Sequence, residues 1–168
     1  CDVVANKKPT FVGACTGMVA GLVGITPGAG FVPIWAALII GLTTSPICFF
    51  MISWVKEKFG YDDALDAFGC HGIGGMVGGV LTGIFCVPDL SWTDFGGLLY
   101  TGDPTLLIAQ IEGILITIVF VAVMSVIIGL VVKVLFKGSL RVSVEEEAEG
   151  LDAREHGESA YPAFNGLD

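Results

Sequence analysis

Ala67-Phe-Gly-Cys-His71-Gly-Ile-Gly-Gly75-Met-Val-Gly-Gly79-Val-Leu-Thr-Gly83-Ile-Phe-Cys-Val-Pro88 runs for 22 residues without an aspartate, glutamate, lysine or arginine. Wound as a helix it rises about 33 Å, enough to cross the roughly 30 Å hydrocarbon core of a bilayer. Its one basic side chain is His71. An ionisable group in such a place costs free energy, so it faces a cavity, a partner or a transported species. The chemistry is therefore expected at His71.

The same lack of charge extends outward from this stretch. From Pro9 to Val55 no acidic or basic residue occurs in 47 positions, too long for one helix but suited to two. Thr26-Pro-Gly-Ala-Gly30 supplies the turn between them, since proline lacks the helical donor and glycine tolerates φ > 0. A further apolar run, interrupted only by Glu112, lies between Asp103 and Lys133. Charged residues are 15% of the 168 and hydrophobic ones 54%, with a mean hydropathy of +0.81; soluble domains carry about a quarter charged residues. Lipid leaves no backbone group unpaired, so each run has to be helical. The sequence predicts an all-α, polytopic membrane helical bundle over 1–137, with spans near 10–26, 31–55, 67–87 and 104–133, and an acidic tail over 138–168.

Basic residues orient the bundle. Lys7 and Lys8 precede the first span, Lys56 and Lys58 lie between the second and third, and Lys133, Lys137, Arg141 and Arg154 follow the fourth. An even number of crossings separates these groups, and the other two connections hold no lysine or arginine. The positive-inside rule places both ends in the cytoplasm, so a multi-pass cell-membrane protein with a cytoplasmic C-terminus is expected. Trp92, Tyr100 and Trp54 suit interfacial belts, or equally the packing of loops. Eight of the 17 acidic residues follow Arg141, so the net charge of −9 belongs largely to the tail, and its sign speaks against nucleic-acid binding. The five cysteines show no C-x2-C spacing and read as small buried hydrophobes; neither a metal nor a cofactor is implied. The opening Cys1-Asp-Val-Val-Ala reads as the end of an earlier span, as in the C-terminal part of a longer chain.

Small residues recur every four positions at Gly13, Gly17 and Gly21, and again at His71, Gly75, Gly79 and Gly83. Such rows let backbones approach closely. They serve generic helix association or the wall of a narrow conduit, and the histidine favours the conduit for the second row. A bulky residue at Gly79 is expected to spoil close packing of the helices. Asp62, Asp63 and Asp66 precede this helix; Asp66 marks its structural start, and carboxylates there cap free amides and complement the dipole. Glu112, with Gln110 nearby, is read as pairing with a backbone group or another subunit.

The string from Asp62 through His71 to Phe85 resembles the tenth span of the ammonium transporter (Amt/Mep/Rh) family. Gly13-Ala-Cys-Thr-Gly-Met-Val-Ala-Gly-Leu-Val-Gly-Ile-Thr-Pro27 is similar to the eighth. Gly30-Phe-Val, leading to Ala36-Ala-Leu-Ile-Ile-Gly41, is similar to the start of the ninth. Gly150-Leu-Asp-Ala-Arg-Glu-His-Gly-Glu-Ser-Ala-Tyr161 resembles the cytoplasmic tail of the Amt branch. Gly28 and Cys70 depart from the family's more usual alanine and branched apolar residue.

The resemblance implies the C-terminal part of the eleven-span transporter fold, spans eight to eleven plus the tail, assembling as a homotrimer in the lipid bilayer. It implies ammonium or ammonia transport, with His71 one of two histidines meeting in a hydrophobic pore. Ala67 and Thr26 match family positions near that pore. A neutral imidazole accepts a proton at one nitrogen and donates at the other, so a pair could relay a proton while ammonia moves separately. The tail is implied to dock a PII-type signalling protein. An ammonium sensor on the same fold is the alternative, distinguished by whether a signalling domain comes after Asp168. An enzyme is not expected, because intramembrane catalysis would need a second histidine, paired aspartates or a serine dyad.

Overall fold

The computed structural model describes residues 1–138 and 140–158. The Ser159-Ala-Tyr161 end of the tail motif, the stretch from Pro162 and the carboxylate of Asp168 lie outside the described residues. All regular structure in the described residues is helical. Four helices are long and apolar enough to cross a membrane: Phe11–Gly28, Ile34–Phe59, Phe68–Phe85 and Thr105–Leu135, spans one to four in chain order. By contact the chain divides into Cys1–Ile118 and Val119–Asp168.

Span one starts at a hydroxyl cap, Thr10 accepting from the Gly13 amide at 3.0 Å. Asp2 holds that cap, its carboxylate receiving the Thr10 amide and hydroxyl at 2.7 Å each and Asn6 at 2.8 Å. The α-helix ends at Ile25 and tightens through Thr26–Gly28, because Pro27 cannot continue the ladder. Gly30 then takes φ +87°, a turn only glycine makes cheaply. Pro33 is extended at φ −73°, ψ 161°, so span two begins at Ile34 and not near 31. Span two also runs one turn past Val55, through Lys56 and Lys58, before Gly60 closes it at φ +62°. There the Lys58 ammonium lies 4.6 Å from the Trp54 ring centre.

Spans one, two and three cross where side chains are smallest. A Cβ on Gly78 would overlap the Gly24 carbonyl, and one on Gly24 would overlap the Thr44 side chain. One on Gly74 would sit 3.2 Å from Val23 Cγ1 and 3.3 Å from Cys48 Sγ. Ala20, Ala36, Ile40, Cys48 and Cys70 fill the surrounding core. Thr44 is wholly buried there, and among the described residues its hydroxyl has no hydrogen-bond partner. A desolvated, unpaired hydroxyl is a liability, so Thr44→Val should raise stability by about 1 kcal/mol. A thermal melt in detergent measures this, and a loss of stability would contradict it.

The other side of span three packs on span four within the first unit. A Gly83 Cβ would meet Leu107 Cα at 2.8 Å, and a Gly79 Cβ would meet Ile114 Cδ1 at 3.1 Å. Gly79 thus faces a neighbour in its own chain, so bulk there would act first on internal packing. The connection after span three is tied down by Gly97, whose amide donates to the Cys86 carbonyl at 2.7 Å. The Val87 amide likewise donates to Phe31 at 2.9 Å, and Trp92 meets the Phe31 ring edge-on at 5.4 Å.

In the second unit a short helix, Val144–Glu149, opens on a capping box between Ser143 and Glu146. The Ser143 amide, and then its hydroxyl, hold the Glu146 carboxyl below the ordinary glutamate range; Arg141 does the same for Glu147. Depressed folded-state values mean the carboxylates stabilise this helix at neutral pH, and the contribution vanishes as pH falls through those values. Hydrogen exchange at the Glu146 and Glu147 amides, corrected for intrinsic rate, should therefore accelerate below about pH 4. Unchanged protection down to pH 3 would contradict the assignment.

Candidate functional site

The loop from Gly60 to Asp66 sets the start of span three, and its acids divide the work. Asp63 is the cap: Oδ1 accepts from the Ala67 amide and Oδ2 from the Phe68 amide, both at 2.9 Å. Asp66 stands at φ +54°, a left-handed conformation that aspartate tolerates better than most residues. Its carbonyl accepts from the Cys70 amide at 2.9 Å. Its carboxylate turns back to Lys56 Nζ at 2.7 Å, closing an ion pair between spans two and three. Lys56 also donates to the Asp63 carbonyl, so one ammonium ties both acids.

Span three does not begin as an α-helix. Phe68–Ile73 is a wide π turn, and Gly74–Phe85 continues as regular helix; at the join the Gly74 amide reaches the carbonyls of both Cys70 and His71. Such turns within α-helices are uncommon and cluster at functional sites. Cys70 is buried, its carbonyl accepting from the Cys48 thiol at 3.8 Å, while the next side chain, His71, is exposed. Among the described residues the imidazole makes no hydrogen bond or ion pair. One turn on, a Cβ at Gly75 would find open space within 4 Å. Ala67, one turn before, is exposed as well. Ala67, His71 and Gly75 thus form an uncovered strip along span three.

Thr26 does not join that strip. It sits in the turn closing span one, its hydroxyl donating to the Leu22 carbonyl at 2.7 Å. That turn lies beside Thr82, which a Cβ on Gly28 would approach to 3.0 Å, three helical turns beyond His71. Sequence reasoning missed Phe68. Its ring is half exposed, 3.0 Å from where a Gly72 Cβ would stand, and meets Tyr61 edge-on at 5.9 Å. Its place three residues before His71 was the available signal.

A model described as the Ammonium Transporter Family matches residues 1–161. The chain belongs to that family. It is 52% identical over 154 residues to an ammonium transporter of Aquifex aeolicus, covering 92% of this chain and 35% of that protein. It is 48% identical over 158 residues to one of Bacillus subtilis, covering 94% and 38%. Among solved structures, Saccharomyces cerevisiae Mep2 superposes with a TM-score of 0.74 at 35% identity, covering 98% of this chain and 38% of that one. Candida albicans Mep2 gives 0.75 at 31% identity, covering 86% and 32%. The chain therefore spans about a third of the length of these Ammonium Transporter Family relatives. Its four apolar helices make it a multi-pass membrane protein of that family.

Proposed function

We propose that this chain forms part of a pathway moving ammonium or ammonia across a bilayer, with His71 handling the proton as one member of a histidine pair. The observation that carries the reading is the uncovered strip of Ala67, His71 and Gly75, on a helix whose Gly74, Gly78, Gly79 and Gly83 are buried. An imidazole facing hydrocarbon with no partner would be costly, so an apolar helix leaving one bare points it at the pathway or at a partner segment rather than at lipid. Family membership supplies the substrate, since the relatives are named ammonium transporters.

A naked ammonium ion entering an apolar bore loses far more hydration energy than ammonia does. A neutral imidazole that accepts a proton from ammonium and releases it onward separates the two species. Ala67 lies beside the route one turn nearer the lysine-bearing end, and Thr26 lies near it further along. The same reading puts the lysine-bearing ends and the acidic tail in the cytoplasm, three copies in the assembly, and a PII-type signalling protein at the tail. The test is His71→Ala in the full-length transporter, reading ammonium-evoked current and methylammonium uptake. Unchanged rate and unchanged charge per molecule taken up would remove His71 from the pathway.

A further inference from the structure

We infer that the contact between Ile52 and Gly69 is a positioning device for His71, an assignment that rests on the pathway role given to that histidine. Two π turns sit at the same level of neighbouring helices: Met51–Val55 in span two and Phe68–Ile73 in span three, packed on one another. A π turn carries an extra residue relative to an α turn, which changes the direction of side chains within it relative to those of the helix that follows. His71 lies inside the turn of span three. The direction of its Cα–Cβ bond therefore depends on that turn keeping its width, because the following Gly74 and Gly78 are fixed in the core crossing.

What keeps the turn in place is Gly69. A Cβ added there would lie 2.5 Å from Ile52 Cγ1 and 3.4 Å from its Cδ1. Ile52 cannot swing aside easily, being β-branched and packed against the cluster of Ala20, Cys48 and Cys70. The next carbonyl, that of Cys70, is held by the Cys48 thiol. Gly69 and Cys70 are buried while His71 is exposed, so the device grips the turn from the core side and leaves the ring free on the other. Neither Ile52 nor Gly69 lies on the uncovered strip. They act through the histidine.

The experiment measures ammonium-evoked current and methylammonium uptake in the full-length transporter in vesicles, each normalised to transporter content. The quantity read is the ratio of charge moved to methylammonium taken up. Gly69→Ala and Ile52→Ala should each shift this ratio at least about threefold, since small misplacements of a proton-handling group are costly. The double variant should return it toward the parent, because the methyl gained at one position fills space vacated at the other. A purely structural role would lower current and uptake together and leave the ratio alone, which would overturn the inference. If Gly69→Ala does not reach the membrane, Ile52→Ala against the double variant decides on the same criterion. His71→Ala, run alongside, separates the two claims. A ratio shifted by His71→Ala but by neither single packing variant sinks the positioning role alone. A ratio unmoved by His71→Ala sinks both.

Discussion

Gly78→Ala destabilises the folded bundle by about 3 kcal/mol or more, at the top of the range for overpacking. The new methyl would overlap the Gly24 carbonyl oxygen, with the Gly24 carbonyl carbon 2.9 Å and its Cα 3.1 Å away. All three are backbone atoms, so no rotamer change relieves the overlap and the two helices have to separate. Separation then opens gaps beside Ala20, Thr44 and Gly74, which meet at the same crossing. The control is Gly41→Ala in span two, where an added Cβ meets nothing within 4 Å. It should stay within about 1 kcal/mol of the parent. Denaturation midpoints in detergent measure both, and equal midpoints for the two variants would refute the crossing as the critical contact.

His71→Ala has the opposite profile, a large effect on transport and a small one on folding. The ring is exposed and unbonded among the described residues, so its removal opens no cavity in the core of this chain. The stability change should stay within about 0.5 kcal/mol. If the imidazole transfers the proton, the ammonium-evoked current should fall by about a hundredfold or more, the usual scale for removing a proton-transfer group. Methylammonium uptake, assembly and melting temperature are measured on the same preparation. A parallel loss of folded protein would mean that the residue is structural.

The four helices were legible in the chain because a bilayer demands long charge-free runs, and Pro9–Val55 and Ala67–Pro88 are nothing else. Their ends were less so. Span two starts late because Gly30 and Pro33 use three residues to turn, and ends late because Lys56 and Lys58 extend the helix. Asp63 rather than Asp66 holds the free amides, since Asp66 is drawn to Lys56 across the loop, and no local pattern announces that pairing.

The glycine row of span three shows most clearly what spacing can and cannot tell. Read as one face, His71, Gly75, Gly79 and Gly83 look equivalent. A step of four residues drifts by about 40° around an α-helix, so a row of four sweeps about 120°. His71 and Gly75 consequently face open space while Gly79 and Gly83 meet span four. The π turn was illegible for a related reason. Glycine at positions 69, 72, 74 and 75 leaves too few bulky side chains for a change of helical period to show.

The backbone contact of Gly24 with Gly78 also makes a fulcrum. Seven residues, or about 10 Å of helix, separate it from His71, forming a lever arm. Tilting that arm by about ten degrees would carry the imidazole by nearly 2 Å, far enough to break a hydrogen bond. The Asp66–Lys56 tether and the Ile52–Gly69 contact hold that arm, so the place of the ring depends on them as well as on the glycine contact.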